Sequence, residues 1–461
     1  MTFSEIFGQI VIRRRLPSHE KKLVENHKSS TRVVFLSAII VVPFFLKVTG
    51  SSIELGDPVV ATGVGQTLPI SVFAVALFLG TSTATILLKN RIRWRRSPLN
   101  IPILLFVFLN LFALLVGLSR EARVENLLFC LQTIAPFLSF FIALNAVESI
   151  AAVQGIFVAC IWIIGGFVLF LAALTTIVIG FGAPTEVYEY LVTLPVYQLF
   201  DYIPLVVAAV YGLGLALLLG GAPTKRKWIL FGFVMVMLFS IFMLRSRGAL
   251  VTMVVITLIQ FVLFARSHGS TKRIAIFSVA SGSMIILLLL GPETLTLENV
   301  RYFLEEKGDD QSLIERQFNM SLAVETISRN PLIGQAYVTG GENALNQRTI
   351  ANPHNQYLTY AVRGGIISML VYVWILVLFL KRIFLLLVKA STALMRTFGI
   401  ALFSVFLGVS LVSNMLQDNF TQPYSGFLLC FLMGAGEFLC NQRAGGTKQV
   451  PTSTQKGSQA A

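Results

Sequence analysis

Apolar residues run through this chain in blocks of about twenty, the length a helix needs to cross a hydrocarbon core. Blocks of that kind lie near 31–48, 68–88, 100–119, 125–145, 149–180, 200–221, 227–244, 247–265, 272–291, 364–386, 394–416 and 422–440. The pattern predicts an all-α polytopic membrane protein with about 12 transmembrane helices. Residues 31–291 hold helices 1–9 and residues 364–440 hold helices 10–12. The fifth block is too long for one plain span and is expected to tilt or to project beyond the bilayer. Pro43, Pro136 and Pro204 fall inside predicted spans, where neighbouring helices can satisfy the backbone groups that a proline frees.

The long polar interruption is residues 292–363, between helices 9 and 10. Within it, Leu313, Ile314, Phe318, Leu322, Val324 and Ile327 outline an amphipathic helix over 311–328, suited to lying along a membrane surface. Asn330-Pro331 ends it, because the residue before a proline avoids the helical region. Gly334, Gly340 and Gly341 make the next stretch loop-like. The interruption closes on Pro353-His354-Asn355-Gln356-Tyr357-Leu358. Residues 1–30 are mixed and charged, with Phe3, Ile6, Phe7, Ile10 and Val11 able to form a short interfacial helix. Residues 441–461 read as a solvated, disordered tail. The first apolar block lacks a small-residue cleavage site, so it is expected to be a retained anchor and not a signal peptide.

Composition agrees: 55% of the 461 residues are hydrophobic and 13% are charged, where a soluble domain carries roughly 25% charged residues. Cys130, Cys160, Cys430 and Cys440 lie in or beside apolar blocks without metal-ligand spacing, as small apolar fillers would. The net charge of +14 gains meaning from its distribution. With both termini on one side, that side receives 25 of the 36 basic residues but 5 of the 22 acidic ones. The positive-inside rule puts this side in the cytoplasm. The basic excess is then a topology signal, and no nucleic-acid partner is implied; membrane lipids are.

The same orientation leaves His354 as the outer-face histidine, with His19, His27 and His268 inside. It also exposes outward arginines. Arg120 and Arg123 have acidic neighbours, whereas Arg245 and Arg247 have none. That pair reads either as snorkelling to headgroups or as a clamp for a phosphate, which a guanidinium fork binds bidentately. Arg316 follows Glu315 and reads as an exposed ion pair or as a further cation of the outer loop. His354 is either a structural cap for helix 10, a role Asn355 fills equally well, or a general base near neutrality. Asp418, in the last outer loop, is a weaker polar candidate. No HExxH, Walker or repeated carboxylate pattern points to a metal or other cofactor.

Across 245–366 the chain resembles the O-antigen ligase and polysaccharide polymerase superfamily of bacterial inner-membrane glycosyltransferases. The resemblance rests on Ser246-Arg247 before a predicted span and on a large outer loop with a second arginine. It also rests on the Pro331-Leu332-Ile333-Gly334 turn, on His354-Asn355-Gln356-Tyr357-Leu358, and on Gly364-Gly365 at a helix start. The family often has an acid where Arg363 stands, and Arg245 is an extra arginine. Such kinship implies a GT-C-like, metal-independent enzyme without a cofactor, in the inner membrane with a periplasmic site and cytoplasmic termini. It implies an undecaprenyl-diphosphate-linked glycan as donor and either lipid A core or another glycan as acceptor. His354 would be catalytic and Arg247 and Arg316 would bind the diphosphate, with Arg245, Asn355, Tyr357 and Asp418 as auxiliary candidates. Polymerases carry a glycine eleven residues after a loop arginine; here Ile256, Leu258 and Ile327 stand at that distance from Arg245, Arg247 and Arg316. A ligase is therefore favoured over a polymerase. A lipid-linked glycan flippase also fits twelve helices, but it predicts charges near the bilayer midplane.

Overall fold

The computed structural model describes residues 52–54, 67–69, 95–120, 124–147, 149–180, 203–220, 227–243, 247–268, 311–337, 353, 355–416 and 423–446. The predicted spans at 31–48 and 272–291 lie outside these residues, as does most of 68–88. A small departure from an all-helical chain is a three-residue antiparallel ladder, β1 (Ser52–Glu54) with β2 (Thr67–Pro69), in the register Ile53 opposite Leu68.

The helices are α1 (Asn100–Arg120), α2 (Val124–Ala146), α3 (Ile150–Gly180), α4 (Ile203–Leu219) and α5 (Lys227–Met243). They continue with α6 (Arg247–His268), α7 (Gln311–Arg329), α8 (Gln356–Val388), α9 (Ala393–Gly408) and α10 (Pro423–Gly446). Among the described residues, five stretches are long and apolar enough to cross a membrane: Asn100–Arg120, Phe129–Ala146, Gly248–Ala265, Gln356–Val388 and Ala393–Ser413.

Four helices depart from the sequence reading. α8 begins at Gln356, eight residues earlier than the pattern suggests, so the signature motif is part helix. Gly364-Gly365, expected at a helix start, instead sits inside α8, where Gly365 (φ 82°, ψ 169°) kinks it. The block 394–416 is not one plain helix: α9 passes into a π-helical turn, Val409–Ser413, and then a short helix, Asn414–Leu416. α10 runs to Gly446, into the stretch expected to be a disordered tail. Pro204 is the second residue of α4, where a missing N–H has no helical partner to lose. Pro136 does lie within α2.

The distribution of exposure is that of a membrane protein. On α1, Ile101, Leu104, Phe108, Leu111 and Leu115 form one exposed apolar stripe, while Asn110 on the inner face is fully buried. α8 repeats this with Ile367, Leu370, Trp374 and Val377 outward. Hydrocarbon solvates such stripes; water would not. Inside, α4 is apolar on all sides and packs against α3, α5, α6 and α9, as a wholly enclosed helix must. α8 touches α1, α7, α9 and α10, and α10 lies along α2. Phe106 binds this core together, its ring 4.9 Å from those of both Phe137 and Tyr360, with Tyr360 4.6 Å from Tyr372.

Polar clusters mark the two ends of the bundle. At one end Arg382 Nε donates to both oxygens of the fully buried Glu437 (2.9 and 3.1 Å), and Ser97 Oγ donates to Glu437 Oε2 (2.8 Å). Arg382 also reaches Asn441 Oδ1 (3.0 Å), and Arg95 lies over the Phe438 ring while donating to the Leu144 and Val147 carbonyls. At the other end Gly117 of α1 backs onto the Ala336 carbonyl. The rise from Ser97 to Gly117 is roughly 30 Å, one hydrocarbon thickness.

Candidate active site

The signature motif sits where α8 begins. Asn355 is extended (φ −142°, ψ 118°), and its side-chain oxygen accepts from the N–H groups of Tyr357 (3.0 Å) and Leu358 (3.1 Å). That is helix N-capping, which satisfies two donors that the first turn leaves open. Its amide nitrogen donates to the Met415 carbonyl (3.2 Å), and the Tyr357 hydroxyl donates to the Ser410 carbonyl (2.7 Å). Both contacts tie the start of α8 to the segment that follows α9.

Ten residues into α8, the turn after α7 locks onto it. The Gln335 N–H donates to the Val362 carbonyl (2.6 Å) and the Ile366 N–H to the Pro331 carbonyl (2.8 Å). The kink at Gly365 releases these α8 groups from helical pairing, and the Pro331–Gly334 turn takes them up. Two glycines permit the close approach. A Cβ on Gly365 would lie 1.9 Å from the Leu332 oxygen, and one on Gly334 (φ 63°) would lie 2.2 Å from the Val362 oxygen. Each also adopts the left-handed region that side chains resist.

A buried polar chain backs this joint. Tyr337, held at φ 65°, donates its hydroxyl to Asn110 Oδ1 (2.7 Å), and Asn110 Nδ2 donates to Ser368 Oγ (2.9 Å). Burial pushes the Tyr337 phenol well above its ordinary pKa, so it serves as a donor and stays neutral. Arg363 stands with its guanidinium over the Phe129 ring (5.3 Å) and donates to Thr133 Oγ1 (3.2 Å), tying α8 to α2.

The expected site residues fall as follows. His354, Arg245 and Asp418 lie outside the described residues, between or beside segments that are described. Arg247 is the first residue of α6. That helix runs antiparallel to α9: Gln260 donates to Ser404 Oγ (2.9 Å), and Ile256 faces Gly408. Continuing this register brings the Arg247 end of α6 to the level of Met415, where Asn355 is also anchored. Arg316 is half-buried on α7, one turn from the buried Asn319 and in line with Ala323 and Ile327. This stripe is the inward face of a helix that packs on α8. Asn355, one of the two caps that the sequence offered for this helix, does cap it; the tyrosine's partner is not legible locally. Asn110, an amide in the middle of its apolar block, carried a visible signal, since polar groups within membrane helices are costly unless paired.

Residues 232–373 match a family model described as O-antigen ligase, a stretch that takes in α6, α7, the joint and the motif. No curated protein matches the chain.

Proposed function

We propose, from the match of residues 232–373 to a family model described as O-antigen ligase, that this chain is a metal-independent glycosyltransferase using a lipid diphosphate donor. The glycan moves from an undecaprenyl-diphosphate carrier to an acceptor hydroxyl on the periplasmic face of the inner membrane. Twelve transmembrane helices in a GT-C-like arrangement, with both termini in the cytoplasm, frame that reaction.

The chemistry follows from residue types. The acceptor hydroxyl attacks the sugar's anomeric carbon; its oxygen–carbon bond forms as the bond to the diphosphate breaks. His354 takes the hydroxyl proton, and the lipid diphosphate leaves with the bonding electrons. Arg247 and Arg316 offset its developing charge with planar, permanently charged forks. One in-line displacement inverts the sugar carbon.

The observation that supports this reading best is the common level of the Arg247 end of α6 and the Asn355 cap of α8, both set against residues 409–416. Full-length protein in liposomes tests it. Replacement His354→Ala is expected to abolish transfer with membrane insertion intact, and undiminished transfer would sink the catalytic role. Arg247→Lys is expected to impair transfer because a point charge does not replace the fork.

The favoured acceptor is the lipid A core, making the protein a ligase, on the absence of the polymerases' arginine-to-glycine spacing. A deletion strain separates the readings. Long polymer stranded on the carrier indicates a ligase, a single repeat on the acceptor a polymerase, and cytoplasmic accumulation of the carrier-linked unit a flippase.

A further inference from the structure

The π-helical turn at Val409–Ser413 leaves a backbone group for the motif to use. In α-helical pairing the Asn414 N–H would donate to the Ser410 carbonyl; here it passes that oxygen and reaches Val409 instead. The Ser410 carbonyl, which the Asn414 N–H passes by, accepts the Tyr357 hydroxyl at 2.7 Å. Two further bonds brace the contact: Asn355 Nδ2 to the Met415 carbonyl (3.2 Å) and Asn414 Nδ2 to the Tyr372 hydroxyl (2.8 Å). π turns cost helical regularity and concentrate at functional sites. This one also packs on α6, the helix that starts at Arg247.

We propose that Tyr357 is a positioning residue: its bond to the Ser410 carbonyl in the π turn holds the first turn of α8 in register with the Arg247 end of α6. The inference rests on the reading of His354 as general base. A helix start has no preceding turn to hold it, and its cap is free to shift. Bonds from Tyr357 to the π turn and from Asn355 to the short helix after it remove that freedom at the point where the base must meet an acceptor hydroxyl. A displacement of about 1 Å in such a group costs on the order of a hundredfold in rate. The π turn thereby serves as the shared reference for two helices that bring catalytic groups from distant parts of the chain.

The test is Tyr357→Phe in the full-length protein, reconstituted in liposomes with undecaprenyl-diphosphate-linked glycan isolated from cells lacking the protein. Donor-binding stoichiometry and single-turnover transfer are measured together, with His354→Ala in parallel. Positioning predicts the wild-type number of binding sites per chain and a single-turnover rate lowered at least about tenfold. A purely structural tyrosine would lower the number of sites and leave the rate per occupied site unchanged, which overturns the proposal. Deleting Leu411, an exposed residue of the turn, lets α-helical pairing return and gives the Ser410 carbonyl a backbone partner. That variant is expected to slow each occupied site likewise, and adding Tyr357→Phe should slow it no further. Additive losses would also overturn the coupling. Full transfer by His354→Ala would remove the underlying reading itself, whereas inactive His354→Ala beside a full-rate Tyr357→Phe would leave that reading standing and reject the positioning role.

Discussion

At the residue scale, two glycines carry the joint beneath the motif. Gly365 has a positive φ and an oxygen where its Cβ would stand. Gly365→Ala combines left-handed strain of about 1–3 kcal/mol with a backbone collision, so the solubilised protein should unfold at a clearly lower temperature and lose transfer. Gly232 of α5 has open space instead, with nothing within 4 Å of where a Cβ would stand. Gly232→Ala should be neutral or stabilising by up to about 1 kcal/mol, as helix propensity dictates. Equal melting temperatures for the two variants would contradict the joint. Arg363, to which the sequence assigns no role, does packing work between α8 and α2 through its contacts to Phe129 and Thr133.

At the element scale, α8 joins both ends of the bundle. Its start carries the motif, and its last turns carry Arg382 against the buried Glu437 of α10. Removing one partner leaves a charge stranded in a low-dielectric setting, at a cost of about 3–5 kcal/mol, while replacing both by apolar residues is often close to neutral. Glu437→Leu and Arg382→Met should each lower thermal stability, and the double variant should recover most of the loss. Additive losses in a double-mutant cycle would show that the pair is not coupled. This pair also bears on the flippase alternative. Glu437 is enclosed, but it is engaged with Ser97 and Arg382 at the bundle end opposite the motif, away from a midplane pathway.

At the scale of the whole molecule, the separation of the two polar ends by one hydrocarbon thickness yields a topological expectation. Ser328 of α7 and Lys389 after α8 are both exposed, and the native cysteines are free and buried. In intact spheroplasts a membrane-impermeant maleimide should label Ser328→Cys, whereas Lys389→Cys should react only after permeabilisation. The reverse pattern would invert the orientation read from the basic residues.

The apolar blocks, the cap at Asn355 and the residue types suited to phosphate and proton chemistry were legible in the sequence alone. Each is a local property: run length decides spanning, an amide before a helix caps it, and a side chain's charge or pKa comes with its type. The described helices accordingly begin and end near where hydrophobicity turns on and off, with α8 and α10 extended by capping and packing that hydropathy does not register. What only the tertiary structure decided is how backbone groups far apart in the chain meet. The kink at Gly365 has meaning only against the Pro331 turn, the π turn at 409–413 only against Tyr357, and the Asn110 amide only against Tyr337 and Ser368. A carbonyl looks the same in every residue, so which one is left open, and what comes to fill it, is settled by packing and not by pattern.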